Sequence, residues 1–127
     1  MRHPLLMFEE LPEWDDLEVR VVVEVEDRET VGSARGNVVA ESRLDIVARA
    51  ALDAAERAAG KRFGELGGIA LGEAGDQRFV VAVIITDSCG DPLVGAAPLR
   101  YFEDDAQGVI RAVFDAINRK SGDFADL

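Results

Sequence analysis

The chain has 127 residues, and 48% of them are apolar, which suits one globular domain with a buried core. Its 25 acidic residues outnumber the 14 basic ones and give a formal net charge of -11, which repels phosphate backbones and anionic membranes, so we expect neither a nucleic-acid nor a membrane partner. The single cysteine, Cys89, allows no internal disulfide, and no segment is typical of a signal peptide or a membrane span, so we expect a cytoplasmic protein.

The first half of the chain predicts strands followed by a helix. HPLLMFEEL is the apolar candidate for a first strand, at about residues 3–10. LEVRVVVEV alternates from Val19 onward, as a strand with one buried face does, and TVGSARG returns after the turn EDRE to make a hairpin. ESRLDIVARAALDAAERAAG changes to a helical period, with Ser42 as the predicted N-cap and Gly60 as the terminating residue.

The second half predicts the same order of elements. FGELGGIALGEAG is a glycine-loosened strand, and the nearly all-apolar QRFVVAVIITD is typical of a central strand that is covered on both faces or part-covered by a partner. SCGDP is a turn, and LVGAAPLR is a strand whose Pro98 favours an edge or a strand end. The last helix, EDDAQGVIRAVFDAINRKSG, begins with acidic residues beside the positive end of its dipole.

Both halves contain matching phrases, which indicates an internal duplication. VGSA at 31–34 aligns with VGAA at 94–97, and ARAALDAAERAAG at 48–60 aligns with IRAVFDAINRKSG at 110–122. The copies span about 1–60 and 61–122, and we expect 123–127 to be a disordered tail. The aligned helix ends share charged residues at a spacing of four, which we interpret as a solvated face: Arg49, Asp53 and Arg57 in one copy, Arg111, Asp115 and Arg119 in the other.

The predicted fold is a single α+β domain over 1–127, a two-layer sandwich of two repeated β-β-(β)-α units. Its sheet is antiparallel, with both helices on one face. The opposite sheet face, rich in Val and Ile, would then be uncovered. Such a face tends to pair with another subunit.

The sequence offers little for catalysis. Its only histidine, His3, lies near the terminus, and Cys89 lies between acidic residues that disfavour a reactive thiolate. The carboxylate clusters EELPEWDD and YFEDD lack the spacing of a calcium loop, and the glycine-rich stretches lack the lysine of a phosphate-binding loop. We therefore predict no enzymatic activity, no cofactor and no metal.

The single tryptophan, Trp14, lies in the acidic phrase PEWDD. Two interpretations are open. The side chain either caps the core or is an exposed contact for a partner. Packing is the favoured interpretation, because a tryptophan near a terminus often holds its segment against the core.

The stretch of two strands, GDPLVGAAPLR and a helix ending VFDAINRK resembles the C-terminal regulatory domain of 2-isopropylmalate synthase and citramalate synthase. The phrase Ala116-Ile117-Asn118-Arg119 is similar to the one that ends the last helix in that family. The resemblance extends over most of Leu17 to Lys120, although the phrase Gly-Pro-Val-Asp-Ala that usually opens the first helix is replaced by GNVVAESRLD.

The resemblance implies two βββα units, a homodimer, and a feedback amino acid bound near the subunit interface. In that family the ligand is held by the loops between the last strand of each unit and its helix. The matching loops here are 36–42 and 100–105. The ligand-binding candidates are therefore Gly36, Asn37, Ser42, Arg100, Asp104 and Asp105.

A second resemblance, to the later part of a double-stranded-RNA-binding domain, gives an alternative function. Such domains place lysines at the start of the final helix, whereas this chain places Glu103, Asp104 and Asp105 there, which disfavours RNA. We therefore expect a non-enzymatic regulatory module that forms a homodimer or binds a partner protein and takes a small-molecule ligand.

Overall fold

The computed structural model describes residues 7–87 and 90–121, and its elements follow the order βββα twice. The bounds are β1 Met7–Glu13, β2 Asp16–Val25, β3 Arg28–Asn37, α1 Arg43–Ala59, β4 Gly64–Ala74, β5 Gln77–Thr86, β6 Leu93–Pro98 and α2 Asp105–Ser121. The predicted α+β class and the two repeated units are confirmed. We call β1–β3 with α1 the first unit and β4–β6 with α2 the second unit.

The strands form two antiparallel sheets, one in each unit, rather than one continuous ladder. Their orders are β1-β2-β3 in the first sheet and β4-β5-β6 in the second. The predicted first strand is confirmed from Met7 onward. Three other predictions fall on residues outside the described ranges, namely the start of that strand at 3–6, the Ser88-Cys89 part of a turn, and the tail at 123–127.

Alternation along the middle strand of each sheet places one face in the core. In β2, Val19, Val21 and Val23 are fully buried, as their spacing predicts. In β5 the same role falls to Val80, Ala82 and Ile84. Each of these faces is covered by the helix of its own unit, and the two helices also contact each other, so the core is continuous through the molecule.

Local signals set the ends of the first helix. The Ser42 hydroxyl accepts a hydrogen bond from the Leu44 amide at 3.2 Å and is the N-cap of α1. Gly60 ends the helix at φ 70°, a left-handed conformation that glycine adopts freely. In α2 the apolar residues at helical spacing are all buried, with Phe114 as the largest side chain: Ala106, Val109, Ile110, Val113, Phe114 and Ile117.

The repeated glycine in each VG phrase lies where strand and helix backbones touch. A Cβ atom on Gly32 of β3 would collide with the backbone of Ala54 in α1. A Cβ atom on Gly95 of β6 would collide with the backbone of Ala112 and Ala116 in α2. The matching glycine and alanine residues of the two copies are therefore explained by the same close packing of a helix on the last strand of its unit.

Replacing either glycine tests this contact. Gly32→Ala and Gly95→Ala should each lower the free energy of unfolding by about 1–3 kcal/mol, because helix and strand must move apart to admit the methyl group. Urea unfolding followed by circular dichroism measures the loss. The neighbouring exposed change Ser33→Ala is the control and should stay within about 0.5 kcal/mol. Equal stability of all three variants would contradict the assigned packing.

Candidate functional site

The duplicated aspartates contact the edge of each sheet and do not simply face solvent. Asp53 Oδ2 accepts a hydrogen bond from the Ser33 amide of edge strand β3 at 2.9 Å. Asp115 Oδ2 accepts one from the Ala96 amide of edge strand β6, also at 2.9 Å. The interpretation of these rows as a solvated face holds for Arg57 and Arg119, whose side chains are 62% and 63% exposed. It is incomplete for the two aspartates, because each carboxylate also satisfies a backbone donor that the edge would otherwise leave unpaired.

The duplicated arginines complete these contacts. Arg49 donates to the Arg35 carbonyl at 3.3 Å and to Glu41 at 2.6 Å. Arg111 donates to the Pro98 carbonyl at 3.3 Å, and its Nη2 lies 2.7 Å from Glu103 Oε2. The hydrogen bond from Arg111 holds the pKa of Glu103 below its ordinary value. The aspartate and the arginine of each helix therefore form hydrogen bonds to an amide group and a carbonyl group of the edge strand.

The predicted residues of the first loop shape that loop. Asn37 Oδ1 accepts from the amides of Val39 at 2.9 Å and Ala40 at 3.3 Å, which closes the turn after β3. Gly36 lies against the ends of the Glu41 and Ile46 side chains, which a Cβ atom there would displace. Together with the N-cap Ser42, these residues explain how the chain turns from β3 into α1.

Asp104, one of the predicted ligand-binding residues, forms hydrogen bonds at the starts of both helices. Its Oδ1 accepts from the Ala106 amide at 2.8 Å as the N-cap of α2, and its Oδ2 accepts from Arg43 at 2.9 Å. Arg43, the first residue of α1, also makes two hydrogen bonds of 2.6 Å to Glu10 of β1. The hydrogen bond from Arg43, helped by the Ala106 amide, lowers the pKa of the Asp104 carboxyl.

The remaining predicted residues, Arg100 and Asp105, line an open groove of about 500 Å³. Arg100 lies 3.4 Å from Glu103, and Asp105 lies 3.3 Å from Arg78, so the groove has basic and acidic groups side by side. Gly36, Asn37 and Ser42 do not line it. The predicted ligand-binding residues therefore have two different positions. Those of the 36–42 loop shape the turn into α1, whereas Arg100 and Asp105 of the 100–105 loop line the groove.

Arg78 also lines this groove, and it is not among the residues predicted from the sequence. It lies near the start of β5, and its carbonyl accepts a hydrogen bond from the Leu99 amide at 3.0 Å, directly before the 100–105 loop. The signal was available in the predicted topology, because β5 and β6 are sequential antiparallel strands and the start of one lies beside the end of the other.

The outward faces of the two sheets differ in chemistry. On the first sheet the outward face carries Glu18 and Arg20 on β2, with Glu9 and Arg35 on the flanking strands. On the second sheet the outward face is apolar except at the strand ends, and we call its apolar residues the apolar face: Gly68, Ala70, Gly72, Phe79, Val81, Val83, Ile85, Val94, Ala96 and Pro98. Polar residues of the same outward parity lie at the ends of the strands, at Glu65 opposite Ile85 and at Gln77 opposite Ala74.

Trp14 projects into solvent from the turn between β1 and β2. Its side chain is 97% exposed, so the interpretation that it packs on the core is wrong. The alternative interpretation, an exposed contact for a partner, agrees with this position.

The contact between Asp104 and Arg43 gives the protein a defined response to acid. Asp104→Asn keeps an N-cap acceptor but removes the charge beside Arg43. A carboxylate with a lowered pKa stabilises the fold above its unfolded pKa of about 3.9, and this stabilisation is lost as pH falls through the folded pKa. The variant should therefore unfold at lower urea than wild type at about pH 7, with the gap closing toward about pH 3.

Asp91→Asn is the matched control, because Asp91 is an exposed acid in the segment before β6. Its urea midpoint should follow that of wild type at both pH values. A gap for Asp104→Asn that stays the same size at low pH would contradict the ionic contact.

Within residues 7–87 and 90–121, no group of three or more His, Cys, Asp or Glu side chains is placed to hold a metal ion. His3 and Cys89 lie outside the described ranges. In the described part of the chain, no helix combines the length and apolar character needed to cross a membrane. No family model matches the chain, and no curated protein matches it at a significant level.

Proposed function

We propose that the chain is a non-enzymatic regulatory module that assembles as a homodimer through the apolar face. The observation that carries this proposal is the chemistry of that face. Three strands present outward side chains of Gly, Ala, Val, Ile, Phe and Pro in a protein whose formal net charge is -11. Contiguous apolar surface rimmed by polar residues is the mark of an interaction site.

Comparison of the two units supports the proposal, because their matching strands differ on the outward face. Register pairs Arg20 with Ser33 in the first sheet and Val81 with Ala96 in the second, at the same place in each unit. The first sheet thus carries a charge where the second carries valine. The change of side chain leaves the fold intact, so the apolar face is best explained by contact with another surface.

A second copy of the chain is the partner that fits this face. The Phe79 ring lies over Gly72 of β4, so the middle of the face is filled by side chains of this chain and carries no charge. A twofold axis would place the same apolar strands of two copies face to face. Contact through an uncharged face also keeps the acidic surfaces of two copies apart.

We further propose that the groove beside Arg100 is the ligand site of this module. A free amino acid carries one carboxylate and one ammonium group. The groove offers an arginine to pair with the carboxylate and a carboxylate to pair with the ammonium group. The resemblance to amino-acid-binding regulatory domains points to the same class of ligand. Branched aliphatic amino acids are therefore the first compounds to test.

A charge in the apolar face should separate the subunits. Wild type should elute as a dimer at tens of micromolar, and Val81→Arg should be a monomer, with the association constant reduced about 100-fold or more by a buried unpaired charge. Size-exclusion chromatography with light scattering measures both. Val22→Arg, which adds the same charge to the outward face of the first sheet, should remain dimeric. A monomeric wild type would refute the proposed assembly.

Ligand binding should appear as thermal stabilisation. Valine, leucine or isoleucine at about 100 times its Kd should stabilise the fold by about 2.7 kcal/mol. This raises Tm by several degrees, measured by differential scanning fluorimetry. Arg100→Ala should abolish the shift, whereas Arg28→Ala, an equal loss of charge in the β2–β3 hairpin, should keep it. A flat response of wild type to all three amino acids would eliminate this ligand class.

A further inference from the structure

The turn that carries Trp14 has a counterpart in the second unit. Register leaves Trp14 and Asp15 between β1 and β2, and it leaves Gly75 and Asp76 between β4 and β5. Trp14 has φ 56° and Gly75 has φ 62°. Glycine adopts this left-handed conformation freely, whereas a bulky side chain rarely does. The fold therefore favours glycine at this position, and the tryptophan there needs another explanation.

Two further apolar side chains lie beside this turn. The Val38 amide donates a hydrogen bond to the Asp15 carbonyl at 2.8 Å, which joins the turn to the loop after β3. Val38 is 44% exposed and its neighbour Val39 is 77% exposed. Trp14, Val38 and Val39 thus present apolar side chains to solvent from two connected loops, and we call these three residues the tryptophan surface.

The surroundings of the tryptophan surface are acidic. Glu13, Asp15 and Asp16 flank the tryptophan in sequence. The basic group of Arg35 lies 3.7 Å from Glu13 and 3.6 Å from Asp16, so its charge is offset by these two acids. No ion pair joins Asp15 to any residue within the described ranges. The balance of charge around the indole is therefore negative.

We propose that the tryptophan surface is a docking site for a cationic segment of a partner protein. A lysine or arginine over the face of the indole gains cation–π attraction, and Asp15 supplies a carboxylate for a second basic group. The valines contact the aliphatic stems of the same side chains. Tryptophan is among the residues that contribute most to binding at protein interfaces.

The negative charge around Trp14 also favours a cationic partner over other occupants. A second copy of the chain would bring two acidic turns together, and a nucleic acid would bring phosphates to them. The site belongs to the first unit, whereas the proposed dimer contact belongs to the second sheet. Docking at Trp14 and dimer formation are therefore independent and can be tested separately.

The sole tryptophan of the chain provides a direct test. The probe is a labelled peptide of alternating lysine and leucine, and its counterpart has glutamate in place of lysine. The lysine peptide should move the Trp14 emission to shorter wavelength and bind with higher affinity than the glutamate peptide. Equal affinity for both peptides would overturn the proposal, as would an emission shift produced by raising the protein concentration alone.

Variants assign the binding to this surface, using fluorescence anisotropy of the labelled lysine peptide. Trp14→Gly should weaken binding about ten-fold or more, without lowering Tm, because glycine suits this turn. Asp15→Asn should weaken it about two- to five-fold. Glu29→Gln, the same loss of charge at the far end of β3, and Val81→Arg in the apolar face should both bind as wild type does. Wild-type affinity in Trp14→Gly would overturn the proposal.

Discussion

Each unit depends on one contact, the helix lying directly on the glycine of the last strand. At Gly32 and Gly95 the strand backbone meets the helix backbone with no side chain between them. This short separation is what allows Asp53 and Asp115 to reach strand amides. A larger residue at either glycine would push the helix out of hydrogen-bonding range. The hydrogen bonds that cover the edge strand therefore depend on the close packing of the helix on the glycine.

Both units have this contact, whereas other positions differ between them. The outward face is charged in the first sheet and apolar in the second, although both sheets have the same strand order and the same pairing of the middle strand with the last. The first hairpin turn holds Trp14 where the second holds Gly75. The positions where the units differ are therefore the candidates for function, since the positions that agree are explained by the fold.

Short-range patterns predicted most of the architecture. The alternation of β2, the helical stripes, the cap at Ser42 and the end at Gly60 all depend on neighbours within a few residues, and each is present in the structure. The edge contact of Asp53 was missed, because periodicity places that residue on a polar helix face and does not show that β3 ends beside it. Tertiary position, rather than local pattern, decides such cases.

Two features of the candidate sites could not be predicted from the sequence, because they too depend on tertiary position. Trp14 is exposed and has a left-handed turn conformation, and no residue type near it predicts either property. The loop 36–42 resembles a binding loop by topology alone, yet its Asn37 and Ser42 are occupied with backbone amides of the turn and the helix start. The 100–105 loop, with Arg100 and Asp105 open to a groove, is the part of the predicted site that remains accessible.

In the proposed dimer the second sheet, and not the first, meets another copy of the chain. Isotope-filtered NMR on a mixture of labelled and unlabelled protein tests it most directly, because it detects only contacts between copies. Intermolecular contacts should appear from the methyl groups of Val81, Val83 and Ile85. Intermolecular contacts confined to Val22 and Val31 of the first sheet would contradict it.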